Sequence, residues 1–372
     1  MPLSAVQPER YTELLQEKAS RVAALIAPFA PPDVDLYPSP PTGFRMRAEF
    51  RMWHEGDKLD YVMFRRDAPR SPVPVTDFPI ASEHIQALMW PLRDALQADL
   101  ELRHKLFQVE FLSTLAGDTV VTLVYHRPLQ AAWEAQAKAL LESLQHNCPR
   151  LSLIGRSRKQ KCVLGKDWVL EELAVNGRTY TYQQFEQAFT QPNAQVNRRM
   201  IEWACSQAAS LDGDLLELYC GNGNFTLPLA ACFKHVIATE LAKISVKAAR
   251  ENLSANRVEN VEIIRLAAEE VTQAINGERE FRRLADLPKP LADYDLRTVF
   301  VDPPRAGLDA ATVNMVSRFE HILYISCNPH TLADNLHELA RTHTVVRFAM
   351  FDQFPYTDHM ECGVLLQRKA AD

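Results

Sequence analysis

The chain of 372 residues lacks any stretch of about 18 uncharged apolar residues, which excludes a membrane-spanning helix of ordinary length. Its first ten residues, MPLSAVQPER, lack the basic-then-apolar order of a signal peptide, so a cytoplasmic location is expected. Cysteine is sparse. Cys148, Cys162, Cys205, Cys220, Cys232, Cys327 and Cys362 form neither a disulfide framework nor a short-spaced metal knuckle, and most read as small buried hydrophobes. Internal repeats and low-complexity tails are also missing. The net charge is only −6, but it is unevenly spread: residues 1–200 carry 24 Lys+Arg against 23 Asp+Glu, and residues 201–372 carry 17 against 24. A neutral-to-basic first half beside an acidic second half suits a module that holds a polyanion next to one with another task. At 47% apolar residues the chain is long enough for about two domains, each with its own core.

Periodicity separates the two halves. Residues 8–29 read as a helix with an apolar stripe of Tyr11, Leu14, Leu15, Val22, Leu25 and Ile26, ended by Pro31 and Pro32. The runs RMRAEFRMW, KLDYVMFR, KLFQVEFLST and DTVVTLVYH read as strands of an antiparallel sheet, and the proline-rich LYPSPPTG and APRSPVPV as turns between its pieces. A helix near 131–146 and strands near 151–155, 161–164 and 179–182 complete an α+β region, residues 1–190. From 191 to 372 helices alternate with strands at 214–219, 235–239, 261–265, 297–301, 321–326, 344–351 and 362–367. This order predicts a mostly parallel sheet covered on both faces, with the last two strands as an antiparallel pair at its edge.

Four segments carry candidate chemistry. In LLELYCGNGNFTLPLA a strand runs into a turn where Gly221 and Gly223 let backbone approach a ligand, at the start of a helix. The third glycine of a dinucleotide site is absent, which weakens a nicotinamide reading. Glu240 closes the next strand, where a carboxylate accepts hydrogen bonds from ribose hydroxyls, and Glu217 is suited to an amine-bearing ligand; a tight turn and a helix cap remain the plain alternatives. In VFVDPPRAG two prolines stiffen the loop that holds Asp302 at a strand end, or simply make a rigid turn. In ILYISCNPHTL the thiol of Cys327 leaves a strand for a helix start, a place that favours a lowered pKa, although such cysteines are more often buried and inert. In FPYTDHMECGVLLQ, Glu361 has apolar neighbours that raise a carboxyl toward the range of a base, or is an ordinary loop carboxylate. Asp358 and His359 are placed too irregularly for a metal site, and no metal is expected.

Taken in order, LLELYCGNGNF, VDPPRAGL, YISCNP and HMECGVLL resemble the class I S-adenosylmethionine-dependent methyltransferases, and among them the RNA uracil-5-methyltransferases. GFRMRAEFRMWH, LRHKLFQVEFL and FTQPNAQVN extend the resemblance to the bacterial tRNA (uracil-5-)-methyltransferases, which modify uridine 54 of the T-loop. The resemblance implies a C-terminal class I Rossmann-like methyltransferase domain, a smaller N-terminal α+β RNA-binding domain, S-adenosyl-L-methionine as cofactor, and the T-arm of tRNA, or RNAs with a T-like arm, as partner. No obligate protein partner is implied. By match to the motifs, Cys327 is the nucleophile and Glu361 the base, while Gln191, Tyr219, Asn224, Glu240 and Asp302 fall at cofactor-pocket or adjacent positions.

Two relatives are disfavoured by residues that are missing. RNA cytosine-5-methyltransferases carry a further cysteine in the Asp-Pro-Pro region, and none occurs between Cys232 and Cys327. Iron–sulfur relatives need four cysteines and a small all-β domain, whereas only Cys148 and Cys162 precede residue 200, so no cluster is expected. A 23S rRNA uracil-5-methyltransferase and a non-catalytic RNA-binding protein on the same fold are the alternatives. For RNA contact the candidates are Arg156, Arg158, Lys159 and Lys161 in a stretch without acidic residues, Arg45, Arg47 and Arg51 alternating along a strand, and Phe107 as a stacking platform or a core residue.

Overall fold

The structure, a computed structural model, describes residues 6–32, 34–65 and 68–370. The first five residues, on which part of the signal-peptide reading rests, lie outside them. The chain forms two compact units that interleave in sequence instead of meeting at one cut near residue 190. Among the described residues, one takes Pro40–Glu172 and Gln183–Ala194, and the other takes Glu9–Ser39, Leu173–Tyr182 and the chain from Gln195 to Ala370.

In the second unit an eight-stranded sheet has the order Val34–Tyr37, His343–Phe351, Glu361–Arg368, His321–Ser326, Leu296–Val301, Asp214–Leu218, Val236–Thr239, Val261–Ile264. Only Glu361–Arg368 runs against the rest. This is the mostly parallel, helix-covered sheet that the alternation predicts, with one correction. The last two strands are paired but are not the edge, because Glu361–Arg368 inserts beside His321–Ser326 and Val34–Tyr37 covers the far side. Their burial explains the order: Cys362, Val364 and Leu366 are fully enclosed, which an edge strand with one open flank does not require. LYPSPPTG therefore begins in a strand and not in a turn.

The helix Tyr11–Ile26 belongs to this unit as well. Tyr11, Leu15, Ala19, Val22 and Ile26 join the core of Leu216, Val299, Tyr324, Leu332 and Phe348, so the stripe read from sequence packs on the eight-stranded sheet. Gly363 sits under Trp203 of the helix Ala194–Ala208; a Cβ there would lie 2.6 Å from the indole.

The first unit is built on a seven-stranded sheet in the order Ala68–Pro74, Lys58–Arg65, Arg47–Glu55, Leu106–Ser113, Thr119–Tyr125, Leu151–Ser157, Gln160–Leu164. It is mixed and not wholly antiparallel, since the helix Ala131–Gln145 crosses over between two parallel neighbours, Thr119–Tyr125 and Leu151–Ser157. APRSPVPV supplies the edge strand Ala68–Pro74 instead of a turn; prolines are tolerated there because an edge leaves N–H groups unused. A helix at Glu83–Ala98, which runs on through Pro91, has no counterpart in the sequence reading. It begins on a Ser82 cap and buries Ile85, Leu88, Met89, Leu92 and Leu96.

Candidate active site

The site follows from strand register. Leu218 pairs with both Thr239 and Val301, and Val301 with Tyr324, so Tyr219, Glu240 and Asp302 all leave the carboxyl ends of neighbouring parallel strands. Ser326 faces Cys362 across the antiparallel ladder. Cys327 directly follows and Glu361 directly precedes that terminal rung, so the ladder brings the two to one end of the sheet although 34 residues separate them in sequence. Both residues thus stand at the sheet end where open α/β folds keep their chemistry.

The three acids bear on one another. Burial, with the charges of Glu361 and Asp302, pushes the thiol of half-buried Cys327 up to about 12, and Arg305 opposes this weakly. The lowered pKa expected at a helix start is therefore absent: two carboxylates and desolvation outweigh the short helix Pro329–Leu339. Burial raises Asp302 to about 7, and burial with Asp302 holds Glu361 well above the usual carboxylate range. Glu361 is 3% exposed, and its Oε2 has no hydrogen-bond partner.

The glycine turn forms the neighbouring half of the site. Tyr219, Gly221 and Gly223 have φ of 61°, 57° and 86°; the last two favour glycine, while Tyr219 holds a conformation rare for an aromatic residue. A Cβ on Gly223 would meet Leu227 at 2.6 Å, whereas the Cβ side of Gly221 is open. Glu240 secures the turn: Oε2 accepts from the Gly221 N–H (3.1 Å) and Oε1 from the Ala242 N–H (2.6 Å) at the start of the helix Lys243–Ala255. It ties the turn to the residue before that helix without capping the helix itself, so the plain alternative of a helix cap is not what the structure has, and each oxygen keeps a lone pair for a ribose hydroxyl. Asn224 exchanges two amide hydrogen bonds with Asn197 (2.8 and 2.9 Å), and the Tyr182 hydroxyl donates to its carbonyl (3.1 Å). Glu217 is 1% exposed, burial lifts it to about 8, and its Oε2 is unpaired. Open backbone over the turn, a carboxylate at the next strand end and an unpaired buried acid fit a nucleoside carrying a cationic group.

Sequence reasoning missed Asn197 and Arg305, although FTQPNAQVN and VDPPRAG contain them. Arg305 accepts at its carbonyl from Asn328 Nδ2 (3.2 Å) and Thr331 Oγ1 (3.3 Å), and its guanidinium meets the His359 ring at 2.8 Å. Gln191 is half-buried in the first unit, between exposed Phe189 and buried Asn193. Among the described residues no group of three or more His, Cys, Asp or Glu is arranged to hold a metal ion.

The basic candidates of the first unit are placed differently from their sequence reading. Arg156 and Lys161 are both paired with buried Glu186, and Lys161 also with Asp167 (2.6 Å), so one acid 30 residues from Arg156 and one just past the stretch neutralise these two cations. Arg47 donates to the carbonyls of Ala188 (3.0 Å) and Glu186, and Arg45 to that of Arg47 (2.8 Å). Phe107 lies between the Arg51 guanidinium, 3.7 Å from its centroid, and the His126 ring, stacked at 3.9 Å. Groups so close to one ring occupy its two faces, which closes it as a single stacking platform. Only Arg158 and Lys159, at the tip of the hairpin joining Leu151–Ser157 to Gln160–Leu164, stand exposed and unpaired among these candidates.

Comparison with known proteins decides the family. The tRNA (uracil-5-)-methyltransferase family matches residues 10–369. The chain belongs to the tRNA (uracil-5-)-methyltransferase family. Among curated relatives, the tRNA/tmRNA (uracil-C(5))-methyltransferase of Vibrio vulnificus is 54% identical over 98% of this chain and 99% of its own, and that of Aromatoleum aromaticum is 50% identical over 99% and 98%. In fold, the chain matches the crystal structure of the Pyrococcus abyssi tRNA (uracil-54, C5)-methyltransferase in complex with S-adenosyl-L-homocysteine, with a TM-score of 0.71 at 20% identity over 96% of this chain and 83% of that one. The match to the methyltransferase family spans both units, from the start of the N-terminal helix to the end of the last strand.

Proposed function

We propose that the protein transfers a methyl group from S-adenosylmethionine to carbon 5 of uridine 54 in the T-loop of tRNA, and of RNAs with a similar arm, through a covalent adduct of Cys327 at carbon 6. The carrying observation is that Cys327 and Glu361 adjoin the terminal rung of Ser326 and Cys362 at one end of the sheet, where the charges of Glu361 and Asp302 act on the thiol. Family membership supports the reaction class, and the tRNA/tmRNA names of relatives at 50–54% identity support the substrate class. Such a substrate places the protein in the cytoplasm; no helix among the described residues is long and apolar enough to cross a membrane.

When bound, S-adenosylmethionine supplies an electrophilic methyl group on a cationic sulfur. Glu240 would hold its ribose, with Tyr219, Asn224 and Asp302 around the turn and buried Glu217 facing its charge. The assignment of Gln191 to the cofactor rests on the FTQPN resemblance alone.

Carbon 5 of uracil is a weak nucleophile, which is why a thiol is needed. The Cys327 sulfur loses its proton to a carboxylate; Asp302, raised only to about 7, is part-ionised at neutral pH and suited to take it. The thiolate forms the sulfur–carbon 6 bond, the 5,6 double bond opens, and its electrons pass into the enolate conjugated with carbon 5. After carbon 5 is methylated, ionised Glu361 removes its remaining proton. The electrons re-form the double bond, and the thiolate leaves carbon 6. Burial makes Glu361 a stronger base than a solvated carboxylate, as removing a proton from carbon requires.

The test is release of tritium from RNA labelled at uracil carbon 5, with and without S-adenosylmethionine. Release from a tRNA transcript that depends on the methyl donor, maps to the T-loop and falls at least about 1,000-fold in Cys327→Ala is expected. Release from ribosomal RNA alone would replace the substrate, and none from either would leave an RNA-binding protein.

A further inference from the structure

Lys18 is a charged residue on the apolar stripe of the helix Tyr11–Ile26, one turn from Leu15 and Val22. Its side chain is 5% exposed, and that of its ion-pair partner Asp352 is 1% exposed. The ammonium also donates to the carbonyls of Phe354 (3.1 Å) and His359 (3.0 Å), so its three donors are all used. Asp352 is held further by the Tyr11 hydroxyl (2.9 Å), which itself accepts from the Ser39 N–H (2.6 Å).

The chain positions of these acceptors give the cluster its meaning. Asp352 and His359 lie at the two ends of the loop from Asp352 to Met360, which joins the strands His343–Phe351 and Glu361–Arg368. Glu361 pairs with Phe351 as the last rung of that ladder, where strand pairs fray. One ammonium therefore ties both continuations of the terminal rung to a helix more than 300 residues away in sequence. Within the loop, Thr357 Oγ1 donates to the Phe354 carbonyl (2.8 Å) and accepts from the His359 N–H (3.2 Å), so that fixing two carbonyls fixes the whole turn.

We infer that Lys18 is a positioning residue for the proton-abstraction step: by clamping Asp352, Phe354 and His359 it holds Glu361 where it can reach the proton on carbon 5. The inference rests on the proposed role of Glu361 as base. A hydrophobic pair would fill the same space, so core stability alone does not call for a buried ion pair here.

The test uses the full chain carrying Lys18→Met together with Asp352→Asn, which removes the clamp without stranding a buried charge, alongside Glu361→Gln and the unsubstituted protein. Each is given S-adenosylmethionine with T-arm RNA containing uridine or 5-fluorouridine; the latter has no proton on carbon 5 to remove. We expect adduct formation with 5-fluorouridine RNA at an unchanged rate. With uridine RNA, kcat should fall roughly 100-fold while KM moves less than about threefold, and a methylated covalent adduct should accumulate as in Glu361→Gln. Amide hydrogen exchange of residues 353–361 should accelerate. Unchanged turnover, unchanged exchange, or adduct formation slowed as much as turnover would overturn the assignment to Lys18. If Glu361→Gln itself accumulates no adduct, the role of Glu361 fails, and this assignment with it.

Discussion

Glu217 and Glu186 are both buried glutamates, at 1% and 6% exposure, and the two units treat them in opposite ways. In the eight-stranded sheet Glu217 has an oxygen with no partner and is lifted to about 8. In the seven-stranded unit Glu186 is paired with both Arg156 and Lys161. Desolvating a carboxyl without a partner destabilises the fold, whereas a paired one is an ordinary element of structure. The contrast extends to their neighbours. Asp302, Cys327 and Glu361 crowd together without a cation to neutralise them fully, while Arg45 and Arg47 spend their guanidinium groups on backbone carbonyls. An unpaired charge marks the place where a ligand completes the set, and a paired charge marks a wall.

The comparison can be broken most forcefully at Glu217. Its folded pKa lies above the ordinary 4.5, so the folded chain keeps a proton that the unfolded chain releases. The resulting penalty is absent below about pH 4, grows as pH rises through the ordinary carboxylate range, and is complete above about 8. Glu217→Gln should therefore raise the melting temperature at pH 8.5, by a stabilisation on the order of a few kcal/mol, and leave it unchanged at pH 4. A drop at pH 8.5 would mean that the carboxylate has a partner in the folded protein. The same change at Glu186 should act with the opposite sign: Glu186→Gln leaves Arg156 without its anion and Lys161 with Asp167 alone, and should destabilise by about 2 kcal/mol in urea unfolding, less than for a fully buried pair because Arg156 reaches solvent. The smallest effect belongs to the exposed tip. Arg158→Ala with Lys159→Ala should leave stability within about 0.5 kcal/mol, weaken tRNA binding less than about tenfold, and lower the salt slope of log K by up to about 2. A salt slope unchanged by that pair would remove the hairpin tip from the RNA surface.

The same contrast explains what could be read in advance. That Cys327, Asp302, Glu240 and Glu361 stand at strand ends was legible because each sits in a short motif beside a proline, a glycine or a strand, so local sequence carries local geometry; the roles proposed for them came from the resemblance of those motifs. The basic stretch was misread because neutrality is not local: Glu186 reaches Arg156 from 30 residues away, and Phe107 is closed by Arg51 from one neighbouring strand and by His126, just past the end of the other. Lys18 showed one signal, a charge within an apolar stripe, but its partner lies 334 residues on. The helix-start position of Cys327 favours a lowered thiol, yet the thiol is raised, because the sum of desolvation and two carboxylates depends on folding.

The alternation of strands and helices, the glycine turn and the four motifs belong to the sequence alone, since hydrophobic period and backbone restriction act over a few residues. The insertion of the last strand inside the sheet, the recruitment of the N-terminal helix and strand to the eight-stranded unit, and the choice of which charges stand paired were decided only by the tertiary structure. Those outcomes depend on burial and on contacts between distant segments, and the energy of a charge is set by whatever the fold brings beside it.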